Sequence, residues 1–354
     1  MADQSGTRPW VIPVGGFLGA GKTTLLLAAG EELKRRGLRP ALLLNDQGED
    51  LVDTKYAGLH TLETREVTGG CFCCRFSSLI RAMDMLRDQA PDVILAEPVG
   101  SCTDIAATIL QPLREYAEIY RVAPFTVLVD PAMAAAMLRD DADPHLRFLF
   151  TKQLQEADLV CLTKADAYPE PMASDGDNAP RISAQTGAGV ATWLDQVTSG
   201  RLSSGTRLLE IDYGQYAEAE AALAWLNLQT SIQLSAPIAP AEFLRRFLNE
   251  LGAGFEASDI SVVHLKAIAE TQSGFAKAAI CFNGQKPHVQ GMLDASPSFS
   301  HELLLNLRAV GRAAEVQSIV QTHLDKTGLT PSGVRIACFH PAPPRPERRV
   351  TQIL

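Results

Sequence analysis

The chain has 354 residues, enough for two domains or for one large domain with an appendage, and its 46% of hydrophobic residues can build proper cores. A net charge of −9 and a pI near 5.3 argue against nucleic acid or an anionic membrane as partner, since no long stretch is basic; the tail Arg345, Arg348, Arg349 is locally positive. No apolar run reaches membrane-spanning length, and Met1 to Arg8 is too short and polar for a secretory signal; the expected location is cytoplasmic, where the seven cysteines stay reduced.

Trp10 to Val14 is a short apolar run suited to a buried parallel strand, and Lys22 to Arg36 reads as a helix that stops at Gly37. Between them Gly16-Phe17-Leu18-Gly19-Ala20-Gly21-Lys22-Thr23 matches the phosphate-cradling pattern G-x-x-x-x-G-K-[ST] at every fixed position. Glycine lets backbone N–H groups approach a phosphate chain, the helix N-terminus adds its dipole, Lys22 adds a cation, and the Thr23 hydroxyl ligates Mg²⁺. Gly16, Gly19, Ala20, Gly21, Lys22, Thr23 and Thr24 are therefore the expected phosphate-binding set.

Ala41 to Leu44 is a second buried strand ending in the polar run Asn45 to Asp50. A carboxylate there would reach the magnesium and sense the terminal phosphate; Asp46 is the first choice, with Glu49 and Asp50 in reserve. Leu62 to Val67 reads as a half-exposed strand, followed by Gly69-Gly70-Cys71-Phe72-Cys73-Cys74 and an amphipathic helix over Ser77 to Gln89. Two glycines give the backbone freedom to turn the sulfurs of Cys71, Cys73 and Cys74 inward, where thiolates suit Zn²⁺, Cu⁺ or a similar ion and leave one coordination position open. A disulfide between Cys73 and Cys74, or plain burial, are the other readings, and Glu66 is a candidate oxygen ligand.

Asp92 to Glu97 is a third buried strand whose terminal acid, Glu97, stands where a magnesium-bound water is held. Gly100 can offer its N–H to the terminal phosphate, and Cys102 either faces the cysteine cluster as a fourth sulfur or is a small residue at a helix start. Lys22, Asp46 and Glu97 make up the candidate catalytic set. Thr103 to Ala117 reads as a helix and Phe125 to Asp130 as a fourth strand, with Asp130 an N-cap before Pro131.

A helix over Pro144 to Ala157 leads to the strand Leu159 to Leu162 and then Thr163-Lys164-Ala165-Asp166. That pattern, [NT]-K-x-D at the end of a parallel strand, sets the Asp166 carboxylate against the N1–H and exocyclic amine of guanine, while the Lys164 stem covers the ring. Ser183-Ala184 downstream would bring a backbone N–H to the guanine oxygen, so Thr163, Lys164, Asp166, Ser183 and Ala184 are expected to select GTP.

Tyr168 to Pro180 is a surface loop, Gly189 to Val197 a last helix, and the Ser/Gly-rich 199–206 a linker. Beyond it, strands at Trp225–Leu234, Ile260–Ala269, Phe275–Phe282, Glu302–Arg308 and Val334–Phe339, with helices at Pro240–Leu251 and Ala313–Lys326, suggest an antiparallel sheet with helices on one face. The expected organisation is a polar tail (1–9), an α/β P-loop domain with a mostly parallel sheet (10–198), the linker, a smaller α+β domain (207–340) and a proline-rich extended or disordered tail (341–354).

With the phosphate loop, Gly-Gly-Cys71-Phe72-Cys73-Cys74, Glu97-Pro98-x-Gly100 and Thr163-Lys164-x-Asp166 in this order, the chain resembles the CobW-like GTPases, in the group of P-loop proteins that includes the urease, hydrogenase and methylmalonyl-CoA mutase accessory GTPases. The motifs cover about residues 10 to 200; the second domain resembles the CobW C-terminal domain in architecture only. The resemblance implies that Gly19, Gly21, Lys22 and Thr23 hold phosphates and Mg²⁺, that Asp46 lies in the first switch, that Glu97 is the Walker-B acid, and that Cys71, Cys73 and Cys74 bind metal with Glu66 preceding them. This sequence departs from the family pattern at Asn45-Asp46-Gln47-Gly48, at Thr163 and at Pro98 to Cys102, and it carries no histidine-rich stretch.

The function so implied is a GTP-hydrolysing metallochaperone, monomer or homodimer, delivering a transition metal of the zinc or cobalt class to a client metalloprotein. A GTPase that assembles or reactivates a metal-dependent or corrinoid enzyme is the alternative, and a passive metal buffer the third reading. Turnover is expected to be slow, because no glutamine or arginine is assignable to the attacking water or the transition-state charge.

Overall fold

The strand sequences WVIPVGG (β1, Trp10–Gly16), PALLLN (β2, Pro40–Asn45), VILAE (β4, Val93–Glu97) and TVLV (β6, Thr126–Val129) are almost wholly apolar, with no in/out alternation. Such runs belong in a parallel sheet covered on both faces. The computed structural model, which describes residues 8–48, 52–58, 62–170, 179–258, 260–326 and 329–354, places them in one. With ETREV (β3, Glu63–Val67), RV (β5, Arg121–Val122) and LVCL (β7, Leu159–Leu162) they form a seven-stranded parallel sheet ordered β3-β2-β4-β1-β6-β7, β5 pairing with β1. All strands point the same way, so the tips of β1, β2, β4, β6 and β7 open on one edge. The chain leaves β1 toward β2 on one side and reaches β6 on the other, and the crevice beside such a reversal is where open α/β sheets bind ligands.

The region 103–117 is not one regular helix. A π-helical turn at Ala106–Leu110 passes into a short α-helical piece at Gln111–Leu113 and a 3-10 turn at Arg114–Tyr116. Pro112 has no N–H for the helical ladder, which accounts for the break in register.

The chain divides into two compact units, with boundaries that differ from the sequence expectation. The first comprises Met1–Gln47, Ala57–Ala219 and Pro344–Leu354, the second Gly48–Tyr56 and Glu220–Pro343. The stretch read as a linker is tied down instead: the Asp158 carboxylate accepts from the backbone N–H of Gly205 at 2.6 Å and of Thr206 at 3.0 Å. The C-terminal tail is extended, as its prolines dictate, yet it is fastened to the first unit. Glu347 accepts from Ser77 N–H at 2.8 Å, Arg348 forks onto Glu115, and Arg349 donates to Asp104 at 2.7 Å.

The second unit is a six-stranded antiparallel sheet ordered β11-β10-β9-β12-β8-β13, built from β8 (Leu223–Ile238), β9 (Ser261–Thr271), β10 (Gly274–Ile280), β11 (His288–Gly291), β12 (Ser298–Val310) and β13 (Thr330–Phe339). Every second residue of the long strands, among them Leu226, Leu228, Leu265, Ala267, Leu305 and Leu307, joins one core with the helices Pro240–Ala257 and Ala313–Lys326. The other face is polar yet buried: Asn227, Lys266, Lys277, Asn306 and Arg308 are each at most 8% exposed. Val52, Asp53 and Tyr56 supply partners for Asn306, Lys266 and Lys277, while Arg308 bonds to Asn227 Oδ1 and Asn227 to Asn306 within the sheet. Val52 N–H donates to Asn306 Oδ1 at 2.8 Å, Asp53 pairs with both Lys266 and Lys277, and the Lys277 ammonium lies 4.1 Å from the centre of the Tyr56 ring. No helix of the described residues is long and apolar enough to cross a membrane.

Candidate nucleotide and metal site

β1 ends at Gly16 and the helix Lys22–Arg35 begins after Gly21, whose φ of +89° only glycine adopts without strain. Between them the loop folds so that the Lys22 ammonium donates to Gly16 O at 2.8 Å and Phe17 O at 3.3 Å. Thr23 Oγ1 donates to Glu97 Oε2 at 2.9 Å, which joins the first turn of that helix to the tip of β4. A hydroxyl beside a carboxylate is a pair of hard oxygen donors, which fits Mg²⁺. Glu97 pairs in register with Leu44, so Asp46, two residues on, lies just past the tip of the neighbouring strand, its N–H donating to Val67 O. Glu49 and Asp50 lie outside the described residues. Gly100 sits hard against the phosphate loop, since a Cβ there would come within 2.8 Å of Lys22 Nζ.

The two segments expected to read the base are joined. Ile182 N–H donates to Leu162 O and Ala165 N–H to Ile182 O, which brings Ser183 Oγ to Asp166 Oδ1 at 2.6 Å; Thr186 N–H in turn donates to Ser183 Oγ at 3.1 Å. Ala184 follows Ser183 in the same turn. Thr163 Oγ1 donates to Ala20 O at 2.9 Å, tying this loop to the phosphate loop. Lys164, at φ +57°, pairs through Nζ with Asp130 Oδ2 at 2.5 Å. Asp130 therefore has two tasks: one oxygen caps Ala132 N–H, as expected, and the other holds the lysine.

Cys71, Cys73 and Cys74 come together, with their sulfurs all within 4.8 Å of one another. Tetrahedral zinc with Zn–S bonds near 2.3 Å sets its sulfurs about 3.7 Å apart. The Cys73–Cys74 separation of 3.8 Å meets that spacing, and the Cys71–Cys73 pair, at 2.8 Å, has to open by about 1 Å. The donor set fits a thiophilic ion, and the 3.8 Å separation leaves no disulfide between Cys73 and Cys74. Glu66 does not join: among the described residues the metal-capable group here is the three cysteines alone, because Glu66 lies on β3, ahead of the turn that gathers the sulfurs. Hydrogen bonds from Cys102, Cys73 and Cys74 hold the Cys71 thiol well below its usual range. The Cys73 thiol is pushed up by bonds to Cys102, Cys71 and Cys74, and that of Cys74, chiefly by its bond to Cys71, to about 11.

One residue passed over in the sequence organises this loop. Asn45, 7% exposed at the tip of β2, donates from Nδ2 to Val67 O and Gly70 O, both at 2.8 Å, and accepts Phe72 N–H on Oδ1 at 2.7 Å. An asparagine directly after a buried apolar run must find such partners, and that was the available signal. The loop after β4 is held from the helix Pro144–Glu156. Gln153 Nε2 donates to Gly100 O and Cys102 O at 2.9 Å each, and Glu156 accepts from Thr103 Oγ1 and Ala106 N–H.

Burial raises the Glu156 carboxyl from the ordinary 4.5 to about 8. The native state then holds this proton more tightly than the unfolded chain, so the contribution to stability is complete below 4.5 and is lost as pH rises through about 8. Glu156→Gln is expected to flatten that loss: melting temperatures measured from pH 5 to pH 9 should fall for the parent relative to the variant. Parallel curves for the two proteins would show that Glu156 does not titrate in this window.

The family described as CobW/HypB/UreG, nucleotide-binding domain, matches residues 10–189. The zinc chaperone CobW of a Sinorhizobium species is 32% identical over 43% of this chain and 49% of its own length, and the zinc chaperone YjiA of Escherichia coli K12 is 29% identical over 44% and 49%. The chain spans about half the length of the curated relatives it matches. The solved HypB of Helicobacter pylori in complex with nickel is similar at 16% identity and a TM-score of 0.41, covering 55% of this chain and 90% of that one. The chain belongs to the CobW/HypB/UreG family and carries its nucleotide-binding domain at residues 10–189.

Proposed function

We propose that the protein binds and slowly hydrolyses GTP, and that nucleotide state governs its grip on a transition metal ion that it passes to a client protein. The observation that carries this reading is Asn45. The residue immediately before the candidate switch carboxylate Asp46 also holds the cysteine loop through three hydrogen bonds, so a shift in one displaces the other. Two relatives named zinc chaperones, at 32% and 29% identity, favour zinc as the cargo.

In this reading the backbone of Gly16 to Thr24 cradles the phosphates, and Lys22 exchanges its bonds to the Gly16 and Phe17 carbonyls for phosphate oxygens. Thr23, Asp46 and Glu97 are the residues that would hold Mg²⁺, which would supply positive charge against the phosphates. Gly100 offers its N–H to the terminal phosphate, and Asp166, with Ser183 and Ala184, selects guanine. Turnover stays slow because nothing assigned to the site supplies a cation for the transition state beyond Lys22 and the metal.

Linkage makes the reading testable: if the nucleotide alters zinc affinity, zinc alters nucleotide affinity by the same factor. Calorimetric zinc titrations with and without a non-hydrolysable GTP analogue are expected to differ about 5- to 150-fold. Equal affinities in the two titrations would remove the coupling and leave a nucleotide-binding protein with an unrelated thiol site.

A further inference from the structure

The segment Pro344–Leu354 lies on the first unit as an extended strap, and it crosses the cysteine loop. Arg345 N–H donates to Cys74 Sγ at 3.2 Å and Glu347 N–H to Cys73 O at 2.9 Å. Cys71 and Cys73 are buried, whereas Cys74 is partly exposed, so the strap sits on the one sulfur of the three that faces outward.

The strap also fills two places that the first unit leaves open. The helix Phe76–Arg87 has no side-chain cap of its own, and the Glu347 carboxylate provides one, accepting from Ser77 N–H at 2.8 Å and Ser77 Oγ at 2.6 Å. In the π-helical turn Gln111 N–H reaches Ala106 O, and the next rung, onto Ala107 O, would need an N–H that Pro112 lacks. Val350 N–H takes that carbonyl at 3.0 Å. Beside it Arg348 forks onto Glu115 at 2.8 and 2.9 Å, and Arg349 donates to Asp104 at 2.7 Å.

We infer that Pro344–Leu354 is a detachable strap that closes the cysteine loop, and that its seat is where a client protein docks an extended segment of the same chemistry, a carboxylate followed by two cations. The part played in metal transfer rests on reading the three-cysteine loop as a metal site. The strap itself does not.

Detachment follows from how the segment is held. None of its residues is buried, so no apolar anchor fixes it, and the Arg348–Glu115 pair is 39% and 50% exposed, where ion pairs hold weakly. A segment fastened in this way opens locally while the rest of the fold stays closed. Pro344 and Pro346 limit the conformations of the freed strap, which lowers the entropy lost on reseating. The seat is defined by chemistry that another chain can match: a helix N-terminus for an acid, Glu115 and Asp104 for guanidinium groups, and the Cys73 and Ala107 carbonyls for backbone N–H groups. A partner segment placed there arrives in contact with Cys74.

The test uses the full chain. Alkylation of Cys74 by iodoacetamide in the metal-free protein is followed by mass spectrometry, with Cys338, a partly exposed cysteine of the second unit, as internal reference. Combining Glu347→Lys with Arg348→Glu reverses two fastenings and is expected to speed the alkylation by about tenfold or more, the factor that about 1.4 kcal/mol produces. A synthetic peptide of residues 344–354 added to that variant should slow the reaction again, and should bind the unsubstituted protein far more weakly because the tethered copy holds the seat. In the unsubstituted protein the rate should climb between about 0.01 and 1 M salt, which cuts the screening length from about 30 to 3 Å, while the rate in the variant stays level. Zinc bound to the variant should pass to a chelator faster by a similar factor. Equal alkylation rates in the two proteins, a peptide that leaves the variant's rate unchanged, or a salt-independent rate in the unsubstituted protein overturns the inference, and the salt series decides even if the variant does not fold. A protein that takes up no zinc sinks the metal reading instead, with the alkylation rates still deciding the strap.

Discussion

Asp166→Ala is expected to weaken GTP binding about 100- to 1,000-fold while ATP binding stays as poor as before. Two hydrogen bonds from guanine to a carboxylate, each at the lower end of the roughly 1.5–3 kcal/mol that bonds to charged groups contribute, account for a loss of that size. The carboxylate is pre-aimed, because Ser183 Oγ donates to it at 2.6 Å from a turn that Ala165 and Ile182 tie to the tip of β7. Binding therefore orders little. Asp166→Asn should accept xanthosine triphosphate in place of GTP, since xanthine carries a carbonyl where guanine carries its amine and an amide N–H can meet it. Fluorescence titrations with the three nucleotides check both outcomes. GTP and ATP binding equally well to the unsubstituted protein would refute the assignment of the base.

The largest expected effect on stability is at Asp53. Burial opposes its charge, yet Lys266 and Lys277 hold the carboxyl well below the usual range, so it is ionised throughout the neutral region. Its stabilising effect is present above the ordinary carboxylate value and is lost only as pH falls through the depressed one. Asp53→Ala leaves two lysines, each 8% exposed, without that anion, and a cost of about 3–5 kcal/mol is expected in chemical denaturation. Adding Lys266→Met should return part of the loss, because it removes a buried charge along with its partner. A cost below about 1 kcal/mol for Asp53→Ala would mean that the pair is solvated and behaves like a surface ion pair.

Features confined to a few neighbouring residues could be read in advance. The eight residues from Gly16 to Thr23 carry their pattern locally, and the apolar runs at β1, β2 and β4 announce a parallel sheet by lacking alternation. The Asp130 cap was legible for the same reason, because cap and proline are adjacent. Partnerships across long stretches of chain left no local trace. Asn45 meets a carbonyl at position 67 and an N–H at position 72, Lys164 meets Asp130, and Glu347 meets Ser77 some 270 residues away. Neither periodicity nor turn chemistry encodes such pairs. The short strands β5 and β11 and the helix Tyr213–Ala221 were missed because two to nine residues of mixed character give no usable repeat.

The grouping of Gly48–Tyr56 with strands made much later has a consequence for biosynthesis. Val52 and Asp53 find their partners 254 and 213 residues downstream, so they wait for most of the polypeptide to leave the ribosome. Until then this loop segment, whose Val52–Gly58 is helical in the finished protein, has a carboxylate and an aromatic ring lacking the surface they are made for. A fragment cut after residue 198 would keep that loop permanently unfinished, a point of attack for proteases and an invitation to aggregate.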